Sequence, residues 1–176
     1  IGTALSRHLL SEGYNVIILS RNPRETAVRH NLGTERRIFR SSGNLFYSRW
    51  DIDKMTIDAT ALKEADYVIL LAGAGVADKR WTEARKKEIL ESRTRSSALL
   101  LKCLQQNPNK VKAVISASAI GWYGPDNGKI FTEEDPAAND FLGQTCVAWE
   151  NSIQPVVALG KRLVKLRLGI VLSDEG

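Results

Sequence analysis

The chemistry open to this chain gathers at a few points, each just after a run of apolar residues. Ser20-Arg21-Asn22 follows the run Tyr14–Leu19 and offers a guanidinium, a group that grips phosphate through a planar fork of donors. Leu71-Ala72-Gly73-Ala74 ends a second run, and its small residues would let a ligand approach the backbone closely. Ser116 and Ser118 end a third, with Tyr123 in the loop beyond; these hydroxyls could hydrogen-bond a substrate oxygen or, with a tuned partner, move a proton. Asp51 follows a weaker run, and Ser92 lies on a long helical stretch. Cys103 and Cys146 have no Cys or His neighbour at metal-ligand spacing, so they read as reduced thiols and no metal site is expected.

These points are meaningful only if the chain brings them together. The opening stretch spaces Ile1, Leu5 and Leu9 by four and reaches Gly13 where a helix would be capped. Tyr14–Ser20 and Ala65–Leu71 are apolar without polar alternation, the pattern of strands buried on both faces of a parallel sheet. Asn44–Trp50 reads as a short strand, Lys112–Ser116 and Arg162–Leu168 as further strands. Helices are expected from the N-cap Thr82 to Gln106 and over Asp140–Ile153. Alternating helices and strands predict a doubly wound α/β fold with a parallel, Rossmann-like sheet. Its ligands would sit at the carboxyl ends of the strands, where the residues above fall.

With 176 residues, 43% hydrophobic, the chain is long enough to bury the core of one domain over residues 1–176 and too short to require two. The longest apolar run, Val68–Gly75, is far short of the roughly 20 residues of a membrane helix, and no basic-apolar leader opens the chain, so a cytoplasmic protein without membrane attachment is expected. The net charge of +5 suits an anionic partner. The densest basic groups, Glu35–Arg40 and Arg85-Lys86-Lys87, read as solvated surface and not as a nucleic-acid platform.

Four segments, Leu71-Ala72-Gly73-Ala74-Gly75-Val76-Ala77-Asp78-Lys79-Arg80-Trp81, Ile89-Leu90-Glu91-Ser92-Arg93, Ser116-Ala117-Ser118-Ala119-Ile120-Gly121-Trp122-Tyr123-Gly124 and Arg167-Leu168-Gly169-Ile170-Val171-Leu172, resemble the extended short-chain dehydrogenase/reductases. They are most similar to an atypical, epimerase-like subgroup, described as nucleoside-diphosphate-sugar epimerases and sometimes labelled cell division inhibitors. The resemblance implies a nicotinamide dinucleotide as cofactor, a small-molecule substrate that the sequence does not identify, and a homo-oligomer as one possible assembly. It also implies a first strand and glycine-rich turn upstream of Ile1, with Gly2 as that turn's last glycine, and a substrate-binding part after the last strand. An ordinary small residue at a helix start is the alternative for Gly2.

In such folds NAD binders place an acidic residue after the second strand, whereas NADP binders place donors for the 2′-phosphate. Ser20-Arg21 therefore points to NADP, unless Arg21 merely ends a strand and faces water. By resemblance, Leu71, Ala72, Gly73 and Ala74 lie beside the adenine ribose, Asp51 near the adenine edge, and Ser92 and Ser116 close to the cofactor. Each of these could instead be an ordinary polar or turn residue. Relatives move hydride and protons with Ser, Tyr and Lys in Tyr-x-x-x-Lys spacing. Here the matching helix positions are Leu142 and Cys146, which fall with Trp149 and Ile153 on one buried stripe and read as core. Ser118 and Tyr123 are left as the candidate catalytic hydroxyls. Two functions follow: an NADP-dependent oxidoreductase or epimerase with an altered proton donor, or a protein that binds NADP(H) without turnover.

Overall fold

The computed structural model describes residues 1–30 and 43–172. Helices α1 (Gly2–Ser11), α2 (Pro23–His30), α3 (Ala59–Glu64), α4 (Glu83–Gln106) and α5 (Phe141–Ile153) are interspersed with six strands. The strands are β1 (Val16–Ser20), β2 (Leu45–Asp51), β3 (Thr56–Ile57), β4 (Tyr67–Leu70), β5 (Ala113–Ala119) and β6 (Arg162–Leu168). β1 pairs parallel with β2, and the short β3 returns antiparallel on it. β4, β5 and β6 form a second, all-parallel sheet in that order.

Local chemistry sets the helix starts. The Thr82 hydroxyl accepts from the Arg85 N–H at 3.2 Å, and the Asp140 carboxylate accepts from the Gly143 N–H at 2.7 Å. Each satisfies one of the donors that a helix N-terminus leaves unpaired. Gly13, at φ 85°, takes the chain out of α1 through a conformation that residues with a Cβ avoid. α2, α3 and β3, which the apolar pattern did not predict, are short. Asp58 starts α3 by accepting from the Thr60 N–H at 3.0 Å.

The core lies between the β4–β5–β6 sheet and α4. Leu70, Leu99, Leu100, Leu104 and Val114 meet Leu62 from α3, Ile153 from the end of α5 and Val156 from the short 3-10 helix (Gln154–Leu159) that follows it. β5 is buried along most of its length, as its sequence predicts. β1 and β4 depart from expectation: β1 is only half-buried throughout, and Tyr67 and Ile69 are 58% and 39% exposed. The reason lies in the sheet order. Among the described residues β1 pairs only with β2, and β4 only with β5, so each keeps one unpaired edge where the sequence calls for a central strand.

The basic run on α4 also differs from expectation. Lys87 is exposed, but the Arg85 side chain is 7% exposed, folded inward to donate to the Gly75 carbonyl and to pair with Glu88 and Asp78. The Glu35–Arg40 cluster lies outside the described residues. Among the described residues no helix is long and apolar enough to cross a membrane, and no cluster of potential metal ligands forms.

Candidate dinucleotide site

A cleft of about 390 Å³ opens at the carboxyl ends of the strands. Arg21 from β1, Trp50 with Ile52 and Asp53 from the end of β2, the Ala72-Gly73-Ala74 turn after β4, and Glu88, Glu91, Ser92 and Arg95 on α4 line it. A smaller adjoining hollow is formed by Ser20, Arg21, Asn22, Glu25 and Thr26. The sequence-predicted Arg21, Ala72, Gly73, Ala74 and Ser92 thus converge on one cleft, and Ser20 lines the hollow that adjoins it at Arg21.

Their states differ. Arg21 lines both hollows, is exposed, and makes no hydrogen bond or ion pair with a described residue. Ser20 shares a short hydrogen bond with Thr26 and accepts from the Asn22 N–H at 3.2 Å, so it shapes the turn after β1. Ser92 braces the other wall, accepting from the Ala74 N–H at 2.9 Å while donating to the Ile89 carbonyl at 3.0 Å. Gly73 lies close against its floor: a Cβ there would lie 3.1 Å from Arg93 Cζ, so the Arg93 side chain would have to shift slightly. Leu71 stands beside Gly2, the first residue of α1, where a Cβ would meet Leu71 Cδ1 at an ordinary 3.8 Å. The described residues therefore do not themselves demand glycine at position 2.

Asp51, Ser116, Ser118 and Tyr123, like Gly2 and Leu71, do not line either hollow. Asp51 accepts from the N–H groups of Asp53 and Lys54 at 3.0 Å each, which holds its carboxyl below the ordinary value and commits it to the turn into β3. Its neighbours Ile52 and Asp53 reach the cleft instead, held there by Arg95, which donates to the Ile52 carbonyl at 3.0 Å. Ser116 is 1% exposed and donates to the Ala117 carbonyl, so it does not line the cleft. Ser118 is 2% exposed and gives its proton to Glu150 at 2.7 Å.

Glu150 centres a polar cluster that sequence reasoning missed. Arg167 donates through Nε to Glu150 Oε1 at 2.9 Å and through Nη1 to the Tyr123 hydroxyl at 2.9 Å, and its guanidinium lies 3.7 Å from the centroid of the Trp122 ring. Lys165 Nζ is 3.4 Å from Glu150. Burial pushes the Glu150 carboxyl up, but hydrogen bonds from Arg167 and Ser118 and the charges of Arg167 and Lys165 outweigh it and leave it below the ordinary value. Tyr123 stacks on Phe131, with centroids 5.1 Å apart. Both predicted catalytic hydroxyls are thus tied to one buried ion pair. Two signals in the sequence could have found it: a lone glutamate on the apolar side of α5, and cations alternating with apolar residues along β6.

α5 presents the stripe the spacing predicts. Cys146, Trp149 and Ile153 are buried at 4%, 5% and 0% exposure, and Leu142 is half-buried against Gly121. Burial pushes the Cys146 thiol up, partly offset by its contacts with the Ala119 carbonyl and Ser118. The sequence neighbours of Cys146 supply no cation, yet the fold brings one from α4, since Arg93 acts on this thiol.

A half-open parallel α/β arrangement, with a glycine-containing turn and a free arginine facing one cleft at the strand ends, defines a Rossmann-like dinucleotide-binding fold. Residues 1–145 match the NAD dependent epimerase/dehydratase family, and the chain belongs to it. The epimerase family protein YfhF of Bacillus subtilis is 34% identical over 177 residues, covering all of this chain and 53% of that protein. The crystal structure of human epimerase family protein SDR39U1 with NADPH superposes with a TM-score of 0.72 at 25% identity, covering 99% of this chain and 52% of that one. A UDP-glucuronic acid 4-epimerase from Bacillus cereus in complex with NAD shares the fold, with a TM-score of 0.70 at 20% identity, over 96% of this chain and 53% of that one. The chain spans about half the length of these relatives.

Proposed function

We propose that this chain is the NADP-binding part of an epimerase-like oxidoreductase of the cytoplasm, acting on a small molecule of the nucleotide-sugar type. The observation that carries the cofactor reading is Arg21, a guanidinium without a partner among the described residues, on the wall shared by the two hollows. Its fork of donors suits the 2′-phosphate of NADP. The adenine end would rest near Trp50 and Ile52, and the backbone of the Ala72-Gly73-Ala74 turn would face the dinucleotide. The NADPH bound by the SDR39U1 relative agrees with this choice. NADP supplies or accepts hydride when bound; this chain's own residues hold and orient it.

A second reading, binding of NADP(H) without turnover, is favoured by one observation. At Leu142 and Cys146 the helix offers a half-buried leucine and a buried thiol whose pKa is raised, neither of which replaces a tyrosine and a lysine. Ser118 and Tyr123 remain candidates for contact with substrate under the first reading. The partner is then a small molecule, with no role for nucleic acid or membrane, and self-association is compatible with either reading.

Titration of full-length protein with NADPH and NADH tests the cofactor. Wild-type protein should favour NADPH, and Arg21→Ala should narrow the preference by about 1–3 kcal/mol, as for loss of a charge-assisted hydrogen bond. Equal affinities in the wild type would sink the assignment. NADPH oxidation on presentation of carbonyl or nucleotide-sugar substrates separates the two readings.

A further inference from the structure

Arg93 is a buried cation without a carboxylate partner among the described residues. It lies on the inward side of α4, four residues after the fully buried Ile89, and is itself 9% exposed. One side of its guanidinium lies against the Gly73–Ala74 turn. Nη1 donates to the Ala74 carbonyl at 3.1 Å and to the Ile89 carbonyl at 2.9 Å. On the other side Cζ lies 4.9 Å from the centroid of the Trp149 ring, on the α5 stripe that also carries Cys146.

No carboxylate among the described residues pairs with Arg93. Burial pulls its pKa down and the second guanidinium of Arg85 adds to this, while the neighbouring Cys146 opposes it only in so far as its thiol ionises. Two carbonyls and an aromatic face compensate only part of the cost of taking a cation out of water. Nε and Nη2 make no hydrogen bond with a described residue, yet neither is among the fully enclosed, unpartnered donors, which are Arg85 Nε and Trp149 Nε1. Nε and Nη2 therefore keep some accessible surface for an incoming acceptor, behind the Gly73–Ala74 turn, although Arg93 is not itself part of the cleft lining.

The position of this cation along the cleft selects its ligand. Arg21, Trp50 and Ile52 occupy the end reached from β1 and β2, whereas Arg93 lies beyond the Gly73–Ala74 turn, toward α5. A dinucleotide whose adenosine 2′-phosphate is held by Arg21 has to cross that turn to place its other half. We propose that Arg93 is a cofactor-binding residue that donates hydrogen bonds to the nicotinamide-ribose half of the dinucleotide, supplying from α4 the cation that α5 lacks at Cys146. This assignment rests on the reading that the cleft binds NADP(H).

The test compares NADPH with adenosine 2′,5′-bisphosphate, which keeps the adenosine 2′-phosphate and lacks the nicotinamide half, by calorimetric titration of the full-length protein. Arg93→Met should weaken NADPH roughly tenfold, the loss expected for a charge-assisted hydrogen bond, and leave the bisphosphate unchanged. Arg93→Lys keeps the charge and the stem, and guards against a misfolded methionine variant. It should weaken NADPH by a few-fold, again without effect on the bisphosphate. Equal losses for both ligands would reduce Arg93 to a brace for the turn and overturn the assignment, as would NADPH affinity that neither variant changes. Wild-type protein that binds neither ligand would overturn the NADP reading and this assignment with it, whereas wild type that binds both keeps the two failures apart.

Discussion

Glu150→Ala should cost about 3 kcal/mol of stability, near the lower end of the roughly 3–5 kcal/mol expected when one partner of a buried ion pair is removed. The side chains of Glu150 and Arg167 are 5% and 16% exposed, so the cation left behind is poorly solvated. The lower end applies because Arg167 retains the Tyr123 hydroxyl, the Glu133 carbonyl and the Trp122 ring, and because Lys165, 35% exposed, can turn to water. Glu150→Gln keeps the volume and an acceptor for Ser118 while losing the charge, so about 1–2 kcal/mol is expected. Combining Glu150→Leu with Arg167→Met removes both charges and should cost less than the sum of the single changes, with a coupling of at least about 1 kcal/mol.

The assay is urea unfolding of full-length protein, read as a change of midpoint at constant slope. The pH dependence adds a signed check. The folded carboxyl of Glu150 is below its ordinary 4.5, so its contribution is fully present above that value and is lost as pH falls through the lower folded value. Glu150→Gln should flatten the profile in that window. A loss under about 1 kcal/mol for Glu150→Ala, or strict additivity with Arg167, would refute the claim that this pair is a buried clamp.

Cys146 should react with alkylating reagents more slowly than a free thiol at neutral pH, because burial raises its pKa, and Cys146→Ala should cost about 1–2 kcal/mol without changing NADPH affinity. Rapid labelling would argue for an open, functional thiol. Residues 1–176 expressed alone should unfold without a sharp cooperative transition, since β1 and β4 each carry an unpaired edge beside exposed Tyr67 and Ile69; a sharp two-state melt of the monomer would contradict this. Asp135, held at about 2 chiefly by Lys129 and the Thr132 N–H, should support the loop under Tyr123 fully above pH 3.8 and release it as pH falls toward 2. Asp135→Asn should lack that step in pH-dependent unfolding, and identical profiles would count against it.

Much of the fold was legible because its signals are local. A threonine and an aspartate that cap α4 and α5, and an apolar run that forms β5, act within a few residues of themselves. Arg21, Gly73, Ala74 and Ser92 could be placed at one cleft because a parallel sheet carries the ends of its strands to one side. Asp51 was misplaced for a reason of the same scale: its carboxylate had two N–H groups close by in the chain, and the local bonds won.

By itself the sequence determined the alternation of helix and strand, the small-residue turn, an arginine just after the first apolar run and the lack of a Tyr-x-x-x-Lys pair. The tertiary structure decided which charges are buried and with whom. Arg93 and Trp149 are 56 positions apart in the numbering, yet packing of α4 on α5 brings the guanidinium to 4.9 Å from the ring centroid. Glu150, Ser118 and Arg167 come from α5, β5 and β6, and nothing in the sequence pairs them with one another. The physical reason is that the cost of burying a charge depends on partners distant in sequence. Periodicity shows which face of an element turns inward, but not which donor or acceptor awaits it there.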